Sequence, residues 1–241
     1  MNREMKILFL GTGEAFSERA NTSILIDERV LLDCGLTTLQ QLMRIKFKLK
    51  RIEVIFISHL HADHYFSLPS FLVTCYEESR KNTLNIIGPI EIEEYIRNLL
   101  YLAYRKNFDD LNFKINIKNV RNSYRFEDYR FSFAPMEHSV PCLAVSIKRD
   151  GRVTYTGDGI PTKEVIKIAK NSDLLIAEAY KENIEGHSSI MKSVKFAKES
   201  NSKRLALVHI SRKEIIDKGI KEAKNIFPNI FIPNDLDFIE I

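Results

Sequence analysis

The fold of this chain is decided by the stretch Ser58-His59-Leu60-His61-Ala62-Asp63-His64. An apolar run at residues 52–57 precedes it and indicates a buried strand. Three imidazoles and a carboxylate are thereby attached to the end of a rigid element, and this is the donor set that two adjacent Zn²⁺-like ions require. A purely polar turn would not account for three histidines here in a chain that has only six. We therefore predict a metal centre at this strand end.

The other three histidines occupy similar places in the sequence. His138, His187 and His209 each follow or interrupt an apolar run that indicates a strand or its edge, and Asp158 lies in a Gly-flanked turn after another such run. Metal ligands and proton carriers are usually held in loops just beyond strands, whereas a core histidine has no reason to prefer strand ends. These residues are candidates for the same site.

Composition indicates a folded globular protein. Of its 241 residues, 44% are hydrophobic and 28% are charged, and the net charge is +4. This mild positive charge permits an anionic substrate but does not require nucleic acid. The basic stretch at residues 44–51 is open to two interpretations, a solvated helix end or a phosphate-binding patch.

The cysteines and the N-terminal residues indicate the cellular compartment of the protein. The three cysteines, Cys34, Cys75 and Cys142, lie far apart and form no Cys-x-x-Cys pair, which favours a reducing compartment. Residues 1–6 carry no signal-peptide pattern, and no apolar stretch approaches membrane-spanning length. We expect a cytoplasmic protein with no membrane segment.

Hydrophobic periodicity predicts a chain of mixed strands and helices. Strands are expected at 6–10, 23–27, 29–33, 84–87, 113–117, 129–134, 143–148, 153–155, 173–177 and 204–208, with two more closing the chain, and helices at 37–47, 68–80, 91–105, 162–170, 188–199 and 214–225. The alternation from 113 to 156 indicates antiparallel sheet. Gly11 and Gly13 do not form a dinucleotide fingerprint, because another strand follows, and we expect them to allow a tight turn close to the site. This order predicts a layered α/β or α+β sandwich, and the lack of a linker favours one domain, 1–241.

These motifs resemble those of the metallo-β-lactamase superfamily and, more narrowly, of its ribonuclease Z branch. The resemblance runs through most of the chain and rests on Gly11-Thr12-Gly13, residues 19–23, Leu31-Leu32-Asp33-Cys34-Gly35, residues 57–64, residues 134–141, Tyr155-Thr156-Gly157-Asp158, Ala177-Glu178-Ala179, Gly186-His187-Ser188-Ser189 and residues 207–211. The motifs occur in the order of the family.

The resemblance implies a four-layer αββα sandwich with two Zn²⁺ ions at one edge. By motif position, one ion would be held by His59, His61 and His138, and the other by Asp63, His64 and His209. Asp158 would bridge the two ions. Asp33 would orient a ligand, cap its own turn, or do both.

The implied activity is phosphodiester hydrolysis by a zinc-dependent, ribonuclease Z-like enzyme. Two Zn²⁺ ions would make hydroxide available near neutral pH, and Asp63 would orient or deprotonate the attacking water. Glu178 and His187 match the positions credited with giving a proton to the leaving oxygen, since a carboxylate raises the pKa of a neighbouring imidazole. The alternative for this pair is a hydrogen bond that only ties two loops together. The expected partner is a phosphodiester substrate such as RNA or precursor tRNA, and a homodimer is left open.

Two departures from the branch bear on the substrate. Tyr180 stands where the pattern Glu-Ala-Thr has threonine, and only nineteen residues separate His138 from Asp158. Members that process tRNA typically insert there a protruding arm that grips the tRNA elbow, and this chain lacks it. Hydrolysis of a small or cyclic phosphodiester is therefore an alternative to tRNA 3′ processing.

Two further alternatives use the same fold. Hydrolysis of a thioester or lactone would use the same two-metal centre, but those branches do not share the Glu178 and His187 motifs. A non-catalytic binding protein would be expected to have lost ligands, and none is missing from this sequence.

Overall fold

The computed structural model describes residues 4–212 and 216–241, with only the backbone described at 216–218. Residues 1–3 of the N-terminal segment, and the first two residues of the helix predicted at 214–225, lie outside the described residues. Within the described part, no helix has the length and apolar character needed to cross a membrane.

The first sheet has seven strands in the described chain. In chain order they are β1 (Lys6–Gly11), β2 (Ser23–Ile26), β3 (Val30–Leu32), β4 (Val54–Phe56), β5 (Leu84–Gly88), β6 (Ile115–Asn119) and β15 (Phe238–Glu240). Their order across the sheet is β15-β1-β2-β3-β4-β5-β6. The strands β3 to β6 run parallel, whereas β15, β1, β2 and β3 pair antiparallel. The strand before the histidine stretch thus lies inside the sheet with a neighbour on each side.

The second sheet contains eight strands among the described residues. They are β7 (Ser123–Phe126), β8 (Tyr129–Glu137), β9 (Cys142–Lys148), β10 (Arg152–Tyr155), β11 (Ile160–Pro161), β12 (Leu174–Glu178), β13 (Leu205–Val208) and β14 (Ile230–Phe231). They lie in the order β11-β8-β9-β10-β12-β13-β14, and β7 pairs with β8. The last four strands of this order are parallel to one another.

Helices cover the outer face of each sheet. They are α1 (Thr38–Arg44), α2 (Ala62–Tyr65), α3 (Leu68–Glu77), α4 (Ile92–Tyr104), α5 (Lys163–Ile168), α6 (Ile190–Glu199) and α7 (Ile216–Ile226), with 3₁₀ turns at Leu49–Arg51 and Phe108–Asp110. Since the side chains of a strand alternate between its faces, each sheet can bury both faces. In β4, Ile55 packs on the helix side with Phe71 of α3, while Val54 and Phe56 face the other sheet.

Three apolar layers therefore alternate with the four structural layers. One lies between the first sheet and its helices, one between the sheets, and one between the second sheet and α5, α6 and α7. The middle layer includes Phe56 stacked on Phe133 from the opposite sheet, with ring centroids 5.5 Å apart; such a pair contributes about 0.5–1.5 kcal/mol beyond its buried area. The predicted four-layer αββα sandwich is confirmed.

One strand prediction was wrong in its sheet and direction. The alternation places residues 113–117 in the antiparallel region, but β6 pairs in parallel with β5 in the first sheet. The intervening helix α4 is the crossover that a parallel connection requires, and alternation within a strand cannot reveal its partner. The short helix α2 and the strands β7 and β11 were not predicted, because elements of two to four residues show too little periodicity.

The glycines of the first loop behave as expected. A Cβ atom at Gly13 would lie 2.1 Å from the Ser17 hydroxyl oxygen, and one at Gly11 would lie 2.1 Å from the Asn21 carbonyl oxygen. Only glycine permits these approaches. The loop between β1 and β2 is consequently folded tightly at the same edge of the sheets as the histidines.

Candidate active site

The candidate residues lie where strands of both sheets end. The histidine stretch follows β4, His138 follows β8, Asp158 follows β10, and His209 follows β13. Because β10, β12 and β13 are parallel, their carboxyl ends meet at one edge, where α/β proteins commonly bind ligands. His209 adopts a left-handed backbone, with φ 53°, and its amide donates to the Thr12 carbonyl at 2.9 Å. The first loop thereby supports the turn that carries this histidine.

A first group contains His59, His61, His138 and Asp158. Its four ligand atoms lie within 4.8 Å of one another. His61 Nδ1 is 3.1 Å from His59 Nε2 and 3.2 Å from His138 Nε2. The outer nitrogens are occupied elsewhere, because His59 Nδ1 contacts the Ser58 hydroxyl at 3.0 Å and His138 Nδ1 lies 2.7 Å from the Gly186 carbonyl. These outer bonds orient the rings so that the inner nitrogens converge on one point.

A second group contains Asp63, His64 and His209. Asp63 Oδ2 is 3.2 Å from His209 Nε2 and 3.4 Å from His64 Nε2. The short helix α2, which begins at Ala62, directs Asp63 and His64 inward. This second group lies beside the first.

Asp158 lies between the two groups. Its carboxylate oxygens are 3.7 Å from His59 Nε2, 3.5 Å from His64 Nε2 and 3.4 Å from His209 Nε2. Asp158 Oδ1 and His64 Nε2 are buried and have no hydrogen-bond partner in the described structure. A buried polar atom without a partner is costly, and metal coordination would satisfy both atoms.

The electrostatics of the site also favour bound cations. Burial raises the pKa of Asp158 and Asp63, but the surrounding imidazoles outweigh it, so both carboxyls are held ionised with a pKa well below the usual range. Burial lowers the pKa of His209, yet these carboxylates raise it overall to about 10. Burial and the charge of neighbouring imidazoles lower the pKa of His59 and His61, which keeps these two rings neutral. Burial also lowers the pKa of His64, but Asp158 and Asp33 outweigh it and raise the pKa, so His64 and His209 would release a proton on binding a cation. The residues present fit divalent cations.

Asp33 supports the second group from behind. It is fully buried, and its carboxylate accepts hydrogen bonds from the Ser58 amide at 2.7 Å, the Ser58 hydroxyl at 2.8 Å and the Tyr155 hydroxyl at 2.7 Å. Its Oδ2 is also 2.7 Å from His64 Nδ1. Asp33 therefore ties the turn after β4 and orients His64 at the same time.

Glu178 and His187 form a pair next to Asp158. Glu178 is buried at the end of β12, and its Oε2 accepts from the amides of Gly159 at 2.8 Å and Ser188 at 3.0 Å. Its Oε1 is hydrogen-bonded to His187 Nδ1, which leaves His187 Nε2 for a substrate. Burial lowers the pKa of His187, but the hydrogen bond and charge of Glu178 outweigh it and raise the pKa overall. This pair can hold a proton beside the metal groups.

A cavity of about 350 Å³ opens onto both groups. Its walls include His61, Asp63, Asp158, His187 and His209, and also four residues that the sequence did not single out as site residues, Glu14, Phe16, Leu36 and Tyr180. The Tyr180 ring lies on the His187 ring, with centroids 4.6 Å apart. In the sequence, Tyr180 is distinguished only as a departure from a motif, and nothing distinguishes Leu36. For Glu14 and Phe16, the adjacent Gly11-Thr12-Gly13 turn was the available clue.

Comparison with known proteins gives a consistent result. A family model described as "Anti-Pycsar protein Apyc1" matches residues 5–226. A ribonuclease Z from Listeria welshimeri is 30% identical, covering 98% of this chain and 99% of that protein, and one from Archaeoglobus fulgidus is 28% identical over 98% and 97%. Both alignments extend over more than 300 positions, whereas this chain has 241 residues, so these relatives carry segments that it lacks.

Solved structures show the same fold. The metallo-β-lactamase fold protein YhfI from Bacillus subtilis superposes with a TM-score of 0.83 at 24% identity, covering 99% of this chain and all of the other. The short form of human tRNase Z superposes with a TM-score of 0.80 at 26% identity, covering 97% and 98%. The predicted resemblance to ribonuclease Z-like proteins is confirmed.

Proposed function

We propose that this chain, which belongs to the family described as anti-Pycsar protein Apyc1 and has ribonuclease Z relatives, hydrolyses phosphodiester bonds in RNA or in a smaller nucleotide. One observation carries the proposal. Asp158 belongs to one metal-ligand group and faces His64 and His209 of the other, and His187, which is hydrogen-bonded to the buried Glu178, lines the same cavity. The arrangement combines sites for divalent metal with a proton carrier, as phosphodiester hydrolysis requires.

The proposed cofactor is a pair of Zn²⁺ ions. His59, His61 and His138 would hold one ion, Asp63, His64 and His209 the other, and Asp158 would contact both. Zinc is supported by the predominance of imidazole donors. When bound, the ions would supply positive charge for the phosphate oxygens and lower the pKa of water.

The chain's own residues would carry the proton transfers. Asp63, held ionised at the cavity wall, would orient the attacking water or accept its proton. His187, whose pKa is raised, would donate a proton from Nε2 to the leaving oxygen. Glu178 would hold the imidazole in that tautomer and stabilise its charge.

The residues between His138 and Asp158 limit the range of possible substrates. The nineteen residues between them are largely taken up by β9 and β10, which are interior strands of the second sheet. No length remains there for a protruding arm. The proposed enzyme therefore takes its affinity from the cavity and nearby basic residues, which favours a small phosphodiester or a single-stranded RNA end over the body of a tRNA.

Several further proposals concern the protein as a whole. Residues 1–241 are proposed to form one domain, which is supported by the apolar layer shared between the two sheets. A cytoplasmic location is proposed on the basis of three buried, free thiols, Cys34, Cys75 and Cys142. A homodimer stays a proposal.

The function is tested by comparing rates on four substrates: precursor tRNA, a short single-stranded RNA, a cyclic dinucleotide and a thioester. We expect the three phosphodiesters to be cleaved and the thioester to be left intact. The values of kcat/KM for precursor tRNA and the oligonucleotide should agree within roughly tenfold, about 1.4 kcal/mol in transition-state binding. A preference of several hundredfold for precursor tRNA would show that another surface replaces the arm. Cleavage of the thioester alone would overturn the proposed activity.

A further inference from the structure

Phe16 is the most exposed large apolar side chain in the described structure, at 75%. It lies in the turn that follows Gly13, and it lines the same cavity as His61, Asp63 and Asp158. Leu36, at 48% exposed, lines that cavity too. Exposed apolar side chains that share a pocket with polar groups mark a binding surface more often than isolated ones do.

The turn that carries Phe16 is held by a buried carboxylate. Glu14 is 1% exposed, and its Oε2 accepts from the Phe16 amide at 2.7 Å. Its Oε1 accepts from Arg212 Nη1 at 2.8 Å. Burying this charge would be costly without both partners, so Glu14 fixes the backbone of Phe16 and the guanidinium of Arg212 together.

Arg212 and Phe16 are also in direct proximity. The guanidinium carbon of Arg212 lies 5.4 Å from the centroid of the Phe16 ring. Aromatic rings and arginine guanidinium planes are the two kinds of side chain on which proteins stack unpaired nucleobases. Here Phe16 lines the cavity, and Arg212 lies beside its ring, held by the same carboxylate.

We propose that Phe16, supported by Arg212, is a stacking platform for a nucleobase of the substrate. The phosphodiester of that substrate would lie at Asp158, between the two metal-ligand groups. This inference rests on the proposed function and makes it more specific. A cavity of about 350 Å³ is at the lower end of the range for small-molecule sites, about 300–1,000 Å³, and so suits one nucleoside rather than a folded nucleic acid. Stacking tolerates any base, so the platform would select for the presence of a base more than for its identity.

The test uses dinucleotides in which either base is replaced by an abasic tetrahydrofuran residue. Wild-type protein, Phe16→Ala, Phe16→Tyr and Phe238→Ala are compared. Phe238 is an exposed aromatic residue, at 51%, on edge strand β15 and away from the cavity lining. Its variant controls for the loss of an exposed ring, and thermal melting checks that each variant folds.

We expect removal of one base to lower kcat/KM of the wild type by roughly 5- to 150-fold, the range for one stacked base. Phe16→Ala should show the same loss on the intact dinucleotide and no further loss on the abasic one. Phe16→Tyr, which keeps an aromatic ring, should retain the dependence of kcat/KM on the base, and Phe238→Ala should behave as wild type. A nucleoside cyclic monophosphate, assayed in parallel, distinguishes a free nucleotide from an RNA end as the source of the base.

Two results would overturn the proposed stacking role of Phe16. One is an equal loss for Phe16→Ala on intact and abasic dinucleotides, which would make the residue structural. The other is wild-type behaviour of Phe16→Ala on all substrates. If no phosphodiester is hydrolysed, the proposed function fails. The stacking role of Phe16 is then tested by measuring the Kd of a nucleoside monophosphate, which Phe16→Ala should raise by the same factor. An unchanged Kd would overturn it.

Discussion

Replacing His187 by alanine separates proton donation from metal binding. His187 is not among the seven residues assigned to the metal ions, although it lies within 4.8 Å of ligand atoms of Asp158, Glu178 and His209. Glu178 keeps its bonds from the Gly159 and Ser188 amides when the imidazole is removed. We therefore expect His187→Ala to fold and to bind the same amount of metal. Elemental analysis and thermal melting check both expectations.

The size of the rate effect follows from the role of the proton. A general acid contributes about 10²- to 10⁴-fold, so hydrolysis of a dinucleotide, whose leaving alkoxide needs a proton, should slow by at least about 10²-fold. This is about 2.7 kcal/mol of transition-state stabilisation. With an aryl phosphodiester the leaving group departs without a proton, and the loss should shrink to less than about tenfold. Equal losses on both substrates would leave His187 with a structural role.

The pH dependence of kcat gives an independent test of the direction in which the pKa of His187 is shifted. Glu178 raises the pKa of His187, so the acid form persists to higher pH than for a free histidine and its contribution is lost as pH rises through the raised pKa. The alkaline limb of kcat should therefore disappear in His187→Ala. In Glu178→Gln the limb should move to lower pH, because the charge that favours the imidazolium is gone. A shift to higher pH would contradict the assigned direction.

Three other expectations follow from single contacts. Asp158→Ala should lose both ions together in elemental analysis after zinc supplementation, since Asp158 faces histidines of both groups; retention of one ion would argue against a bridging role. Tyr155→Phe removes one donor to Asp33 and should weaken metal binding by about tenfold in a chelator competition, the lower end for such supporting contacts. Arg80→Leu should lower the unfolding free energy by about 3 kcal/mol in urea titration, because the buried guanidinium donates to four backbone carbonyls. An unchanged midpoint would mean that those carbonyls find other donors.

Sequence predicted the fold where local pattern and motif agree. Strand β4 and the histidine stretch were found together because an apolar run that ends in His-x-His-x-Asp-His carries both a burial signal and a chemical one. Sheet membership was harder. Strand β6 alternates much like an antiparallel strand, and only the crossover through α4 places it parallel to β5.

The same distinction applies to the residues of the candidate site. Residues with distinctive chemistry, such as His138 and Asp158, could be proposed from their types and positions, and the structure brings them within reach of the histidine stretch. Leu36 could not be proposed, because an apolar residue near a turn is ordinary in sequence, and for Phe16 the neighbouring Gly11-Thr12-Gly13 turn was the one signal. Their meaning appears only when the exposed fraction and the shared cavity are known.

The short connection from His138 to Asp158 and the exposed Phe16 have a common consequence. Without an arm, the enzyme has few contacts with anything distant from the scissile phosphate, and the free energy of substrate binding has to come from groups that line the cavity. In the proposed reaction the metal groups would recognise only the phosphodiester, which every nucleotide shares. Discrimination must then come from the neighbouring wall, where Phe16, Leu36 and Tyr180 are the apolar and aromatic side chains available. Substitutions at these three positions should therefore change which phosphodiester is hydrolysed, whereas substitutions at the ligands should abolish hydrolysis of all of them.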